Sequence, residues 1–277
     1  MAGMALETCY RHPGEETRVH CTRCERPICP ACMTQAPVGH HCPTCVAEGR
    51  RGSRRLRVRV RRPRSATVVL LALIVGTFVL ETALGGSTDP EVLVRLGAMY
   101  RPGIADGELW RLVTAMFVHI GALHLLLNAY GLFLFGGLIE SALGTRRFLA
   151  VYFVTGFVAS AASFAFGGAQ IAAGASGAIF GLLGAWLTYN WRRRDLHMAQ
   201  SNIQGALILI GLNLFLGFSS RGIDNVAHIG GLVAGVLAGI AVEGFGTRGV
   251  RTFTRVAGLA LLAVAGLALV LWRVSTL

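Results

Sequence analysis

The chain is 277 residues long, 53% hydrophobic and only 14% charged, with a mean hydropathy of +0.58. Soluble domains carry roughly 25% charged residues, so these figures exclude an ordinary soluble enzyme, a disordered chain and a coiled coil. The formal charge of +12 comes from 26 basic residues, every one an Arg, and all seven cysteines fall within the first 45 residues. Two differently built parts are joined in one chain.

The N-terminal part begins at once with polar Cys/His sequence, and no apolar run follows Met1, so no signal peptide is expected. Its spacing is Cys9-x2-His12, Cys21-x2-Cys24, Cys29-x2-Cys32 and Cys42-x2-Cys45. Each is a close pair of the kind that grips a tetrahedral ion. Seven cysteines plus His12 make eight ligands, enough for two zinc ions. A segment this short with few large apolar side chains cannot build a sufficient core, so metal must supply its stability. Disulfides would need an oxidising compartment and would leave one cysteine unpaired.

The row CYRHPGEETRVHCTRCERPICPACM resembles a B-box-like zinc finger. That resemblance implies interleaved pairs: Cys9, His12, Cys29 and Cys32 hold one ion, and Cys21, Cys24, Cys42 and Cys45 hold the other. A B-box ends in two histidines, so His40 or His41 could displace one of the last cysteines. Both ions read as structural, because no ligand position is vacant for water. A protein-binding or purely structural role fits such a module better than nucleic-acid binding.

Residues 50–64 read RRGSRRLRVRVRRPR, with nine arginines in fifteen residues. A nucleic-acid arm is one reading. A juxtamembrane positive-inside signal, attractive to anionic lipid heads, fits better, because an apolar run begins two residues later. The expected organisation is a zinc-binding domain at 1–48, an Arg-rich linker at 49–65 and a membrane domain at 66–277.

A membrane helix needs about 20 apolar residues. Candidate spans are 66–84, 122–142, 148–166, 176–191, 203–218, 226–242 and 256–272. Residues 148–191 carry no formal charge for 44 residues, about 66 Å of helix and twice the hydrocarbon thickness. The chain must double back there, and GGAQIAAGAS is where it turns. The expected fold is an all-α polytopic membrane bundle of seven spans. A cytoplasmic N-terminus places seventeen arginines inside against five outside, Arg95, Arg101, Arg111, Arg221 and Arg273. The positive-inside rule then sets the cysteines in the reducing cytoplasm and the C-terminus outside.

With that parity, spans two, four and six begin at the outer side. Ser176 opens span four and His228 is the third residue of span six. His124 and Asn128 lie four residues apart on one face of span two. A histidine inside a membrane span is expensive and suggests function by default. Each feature alone has a bland counterpart, since GASG is a common packing sequence and a buried His is often only hydrogen-bonded. The helix faces decide more. Ala227, Gly231, Gly235 and Gly239 form a smooth face on span six, and Gly177 and Gly181 keep the same rhythm on span four.

GASG, AHIGGLVAG, HIGALHLLLNAYG and the pair Trp110–Arg111 together resemble a rhomboid intramembrane serine protease over residues 66–277, six core spans plus a seventh. The resemblance implies a nucleophile at Ser176 and a base at His228, without the aspartate of soluble triads. It implies an oxyanion hole from His124, Asn128 and the Ser176 amide, and an aromatic, Phe180, packed on the base. Gly174 lets the backbone before the nucleophile turn. His119 reads as a loop-to-helix tie, Glu140 in the pattern ExxxGxxxF as a buried acceptor, and Arg111 as an anchor for the loop at 85–121. Span five and the segment SSRGID resemble the family's lateral gate and cap. Substrates would be single-span membrane proteins cut near the outer face of the plasma membrane, with no cofactor needed for catalysis. A non-catalytic scaffold that binds membrane helices is the alternative. A transporter fits less well, because no inverted repeat is visible.

Overall fold

A computed structural model describes residues 6–36, 38–52, 65–219, 222–244 and 248–277. Most of the Arg-rich connector, residues 53–64, and two residues of SSRGID, Ser220 and Arg221, lie outside these. The chain divides into two compact units, 1–60 and 61–277.

The first unit is built from short pieces. Strands β1 (Glu7–Cys9) and β2 (His12–Thr17) form a hairpin whose register sets Cys9 opposite His12. A 3-10 turn (Pro30–Cys32) leads into a second ribbon, β3 (Thr34–Gln35) with β4 (His40–His41), and helix α1 (Pro43–Gly52) follows. Its buried interior consists of Ile28 and six of the seven cysteines, with Cys24 packed beside them. That is too little apolar area to offset the entropy of ordering such a chain.

The second unit is helical. Each of the seven candidate spans is a helix, and six of the helices are long and apolar enough to cross a membrane. They are α2 (Ser65–Ala83), the segment Ala122–Leu143, α8 (Thr145–Phe166), α10 (His197–Ser219), α11 (Asn225–Glu243) and α12 (Arg248–Ser275). The segment Ala122–Leu143 comprises α6 (Ala122–Gly131) and α7 (Gly137–Leu143), joined by a π-helical turn at Leu132–Gly136. The seventh helix, α9 (Ser176–Trp191), has 16 residues, about 24 Å, and eleven of them are buried. The protein is a multi-pass membrane protein, and α9 is the axle of its bundle.

Close packing against α9 explains the glycines. A Cβ at Gly231 would stand 2.1 Å from the Gly177 carbonyl oxygen, and one at Gly235 2.0 Å from that of Gly181. The two backbones therefore touch, as a stripe of small residues permits. On the opposite surfaces of α2, α10 and α12, Val79, Phe215 and Leu261 are exposed, as lipid-facing positions require.

The connection at 84–121 is folded. It contains α3 (Pro90–Arg95), β5 (Met99–Tyr100), α4 (Arg101–Ala105) and α5 (Arg111–Thr114). Strand β5 pairs antiparallel with β6 (Ile171–Ala172), which lies four residues before Ser176. The turn expected at GGAQIAAGAS is thus held by a ribbon.

Candidate active site and metal sites

Ser176 is the first residue of α9 and His228 the fourth of α11, and the glycine contacts bring these two helix starts together. The Ser176 Oγ lies 2.9 Å from His228 Nε2. With Nε2 accepting the hydroxyl proton, the neutral ring carries its own proton on Nδ1. That nitrogen is buried and has no hydrogen-bond partner among the described residues. Among the described residues no carboxylate completes a triad. The ring instead stacks on Phe180, with centroids 4.3 Å apart and planes 9° from parallel. Such a face fixes the orientation of the imidazole.

His124 approaches from α6. The Ile120 amide donates to its Nδ1 at 3.3 Å, so the neutral ring carries its proton on Nε2. That Nε2 lies over Gly174, where a Cβ would stand 2.7 Å from it and 3.8 Å from Ser176 Oγ. Gly174 has φ +123°, closed to residues with a side chain, and its amide donates to the Ala115 carbonyl. Glycine is required here twice, for the turn and for the close approach of His124.

Asn128 is buried one turn further along. Its Nδ2 donates to the His124 carbonyl at 2.9 Å, and its Oδ1 has no partner among the described residues. In this state the Asn128 amide is spent within its own helix. A rotation about its side chain would release it toward the serine.

A cavity of about 40 Å3 opens beside the nucleophile, lined by Ser160, Ser163, Gly174, Ser176, Gly177 and Asp224 among others. That is room for a few waters with several polar partners.

The remaining predicted residues hold the frame. The Arg111 guanidinium donates from Nη1 to the carbonyls of Val94 at 2.6 Å and Ala98 at 3.2 Å, pairs with Glu108 through Nε, and lies over the Trp110 ring. Glu140 accepts from the Ala66 and Thr67 amides at 3.2 and 3.0 Å and from the Thr67 and Thr145 hydroxyls, both at 2.8 Å. It caps the start of α2 and ties it to α7. At His119 the backbone amide, not the ring, ties loop to helix, donating to Glu81 of α2 at 3.0 Å. The His119 ring turns back to the Phe117 carbonyl. Burial first, then the neighbouring His124, push its pKa down to about 4, so it stays neutral.

Three polar residues near the site escaped the sequence reading. Glu81 is a fully buried acid inside an apolar helix, itself a signal. Asp224 precedes the helix that carries His228, a cap position readable from Asp followed by an apolar run. Arg101 donates through its guanidinium to the carbonyls of Ser163, Gly167 and Ala169, partners 62 to 68 residues away that no local pattern announces.

In the N-terminal unit two groups of four ligand atoms gather: Cys9, His12, Cys29 and Cys32, and Cys21, Cys24, Cys42 and Cys45. Within each group all atoms lie within 4.8 Å of one another. His12 Nδ1 is 3.2 Å from Cys29 Sγ and 3.4 Å from Cys32 Sγ, and the sulfurs of Cys24 and Cys42 are 3.7 Å apart. A tetrahedral ion with sulfur at about 2.3 Å and nitrogen at about 2.0 Å sets edges of about 3.8 and 3.5 Å. The donors therefore fit a metal, and all seven cysteines are free of disulfides. His40 and His41 sit in β4, outside both groups. Burial and the sulfurs of Cys9 and Cys29 push Cys32 up, and burial with the Cys24 and Cys42 sulfurs pushes Cys45 up. A cation at the centre of each group would offset the repulsion between its thiolates.

Among known families, the Rhomboid domain matches residues 106–244. The chain is 42% identical over 178 residues to rhomboid protease GluP of Bacillus subtilis, covering 64% of this chain and 34% of that protein. It is 36% identical over 167 residues to RHOMBOID-like protein 5 of Arabidopsis thaliana, covering 58% and 53%. It is 40% identical over 159 residues to Rhomboid-like protease 2 of Toxoplasma gondii, covering 54% of each. The chain thus spans a third to about half the length of these curated relatives.

Proposed function

The chain belongs to the rhomboid family, and from that premise we propose that it is an intramembrane serine endopeptidase with Ser176 as nucleophile and His228 as base. The observation that carries this reading is the 2.9 Å contact between Ser176 Oγ and His228 Nε2, inside a membrane bundle and beside a small cavity that Ser160, Ser163 and Asp224 help to line. A serine hydroxyl is weakly nucleophilic until a base takes its proton.

In the proposed reaction Oγ attacks the scissile carbonyl carbon while its proton passes to Nε2. The oxyanion forms beside the start of α9, where the Ser176 amide, His124 Nε2–H and a rotated Asn128 amide can donate to it. Such preorganised donors supply the largest electrostatic share of catalysis in acyl transfer. The helix N-terminus adds favourable dipole. Collapse of the tetrahedral species breaks the C–N bond, and the imidazolium returns its proton to the leaving amine. A water from the cavity then attacks the acyl-enzyme, with His228 again as base.

The substrates are single-span membrane proteins whose helices unwind near the outer face of the plasma membrane. The arginine distribution supports a cytoplasmic N-terminus and an outer C-terminus. The N-terminal module, residues 1–48, is a B-box-like finger that holds two structural zinc ions through the eight ligands named above. Its partner is a cytoplasmic protein. Residues 6–48 carry four arginines against five acids, which gives no basic face for nucleic acid.

The test incubates purified protein and its Ser176→Ala variant with a helical membrane substrate and a fluorophosphonate probe. The variant should lose labelling entirely and cleavage by at least about 1,000-fold. Equal cleavage by both would sink the dyad, and an inert but folded wild type would favour a scaffold that binds helices without cutting. Metal analysis should return about two zinc per chain.

A further inference from the structure

The dyad leaves one charge unaccounted for. When His228 takes the serine proton it becomes an imidazolium, and its Nδ1–H, buried and unpartnered, meets no carboxylate. Its place in the fold makes this worse. His228 is the fourth residue of α11, within the first turn, where the helix dipole is positive and opposes a cation. Ser176, at the start of α9, sits in the same kind of field, but there the positive end favours the developing oxyanion. One physical effect helps the nucleophile and hinders the base.

Asp224 stands where it corrects this. It is the N-cap of α11, and its Oδ1 accepts from the Ala227 amide at 2.9 Å. Its Oδ2 takes the hydroxyl of Ser163, a buried residue of α8. Its carbonyl accepts the His228 amide at 3.1 Å, and Asp224 lines the same cavity as Ser176. The charged and titratable groups facing this corner are His124 from α6, Arg101 from α4 and Arg273 from α12. Arg101 is committed to the carbonyls of Ser163, Gly167 and Ala169. Among the described residues neither arginine makes an ion-pair contact with Asp224, and Arg101 attracts it only from a distance.

We propose that Asp224 is a positioning residue of the reaction: its carboxylate fixes the helix start that carries His228 and supplies, from one turn away, the counter-charge that the imidazolium lacks. This rests on the Ser176–His228 reading above. It places the negative charge of a triad at the end of a helix, where it acts through the dipole, and not on the ring nitrogen.

The test uses the full-length protein and measures fluorophosphonate labelling rate and substrate kcat/KM against pH. Asp224→Asn and Asp224→Ser keep a capping oxygen but lose the charge. Both should lower the plateau about 5- to 10-fold and move the acid limb to lower pH. Asp224→Glu should bring both back toward wild type. Ser163→Ala keeps the cap and the charge but removes the hydroxyl that shares it, and should move the acid limb to higher pH. An unmoved acid limb in the neutral variants, whatever happens to the plateau, would reduce Asp224 to a structural cap and overturn the proposal. If neither neutral variant folds, an unmoved limb in Ser163→Ala overturns it. A wild type that neither labels nor cleaves would instead defeat the dyad, a result distinct from both.

Discussion

The two units of this chain bury opposite kinds of group. The N-terminal unit encloses sulfur, and among its described residues Ile28 is the one fully buried large side chain. The membrane unit encloses small residues, so that backbone meets backbone along α9 and α11. Two clusters of metal-ligating side chains take the place of a core in the first, and many weak contacts spread along two helices hold the second. Point fixation fails all at once, and distributed packing fails by degrees.

The largest expected effect is on the first unit. Chelation, or Cys21→Ser together with Cys29→Ser, should remove metal-linked folding free energy of about 10 kcal/mol or more and leave residues 1–48 unfolded. Limited proteolysis would show the loss, with the membrane unit's melting unchanged. A module still folded after chelation would break the contrast. Next comes Gly235→Leu, which sets a side chain where a Cβ already lies 2.0 Å from the Gly181 carbonyl oxygen. It should cost about 3 kcal/mol and part the dyad, seen as a lower melting temperature and lost probe labelling. Glu140→Ala strands the amides of Ala66 and Thr67 and should cost about 2 kcal/mol in thermal unfolding, with labelling retained below the melt. The smallest effect sharpens the contrast from the other side. Ile28→Val in the metal-loaded module should cost about 1 kcal/mol or less by chemical denaturation, because one methylene is lost where metal, not apolar packing, supplies the stability.

Much of this was legible in the sequence, and each success has a physical cause. Long uncharged runs have one stable destination, so the seven helices could be read from hydropathy, and the 44-residue run had to break. The four-residue rhythm of small side chains on two spans forecast a close crossing, and the Gly231 and Gly235 contacts realise it. Loop 84–121 was legible only as a loop. Its elements have two to six residues, too short for a period, and Arg111 holds them by reaching carbonyls 13 and 17 residues back. The same holds for Glu81, whose acceptor role is set by a backbone amide 38 residues on. Side-chain-to-backbone ties across long separations leave no pattern, since every residue offers the same amide. The Asn128 amide is a different case. Its position on the helix face was readable, but its rotamer answers to the His124 carbonyl of its own helix.

The 16 residues of α9 span about 24 Å where a hydrocarbon core measures about 30 Å. The axle of the bundle is about one helical turn too short for the slab it stands in. Its neighbours α8 and α11 are longer, with 22 and 19 residues, so the deficit appears at its N-terminal end as a hollow walled by protein. A full-length helix would have lifted the serine out to the surface, and hydrocarbon would have surrounded a deeper one. The missing turn makes the membrane's water supply a matter of architecture. It sets how much solvent stands over the nucleophile, and that amount should vary with the thickness of the bilayer around the protein.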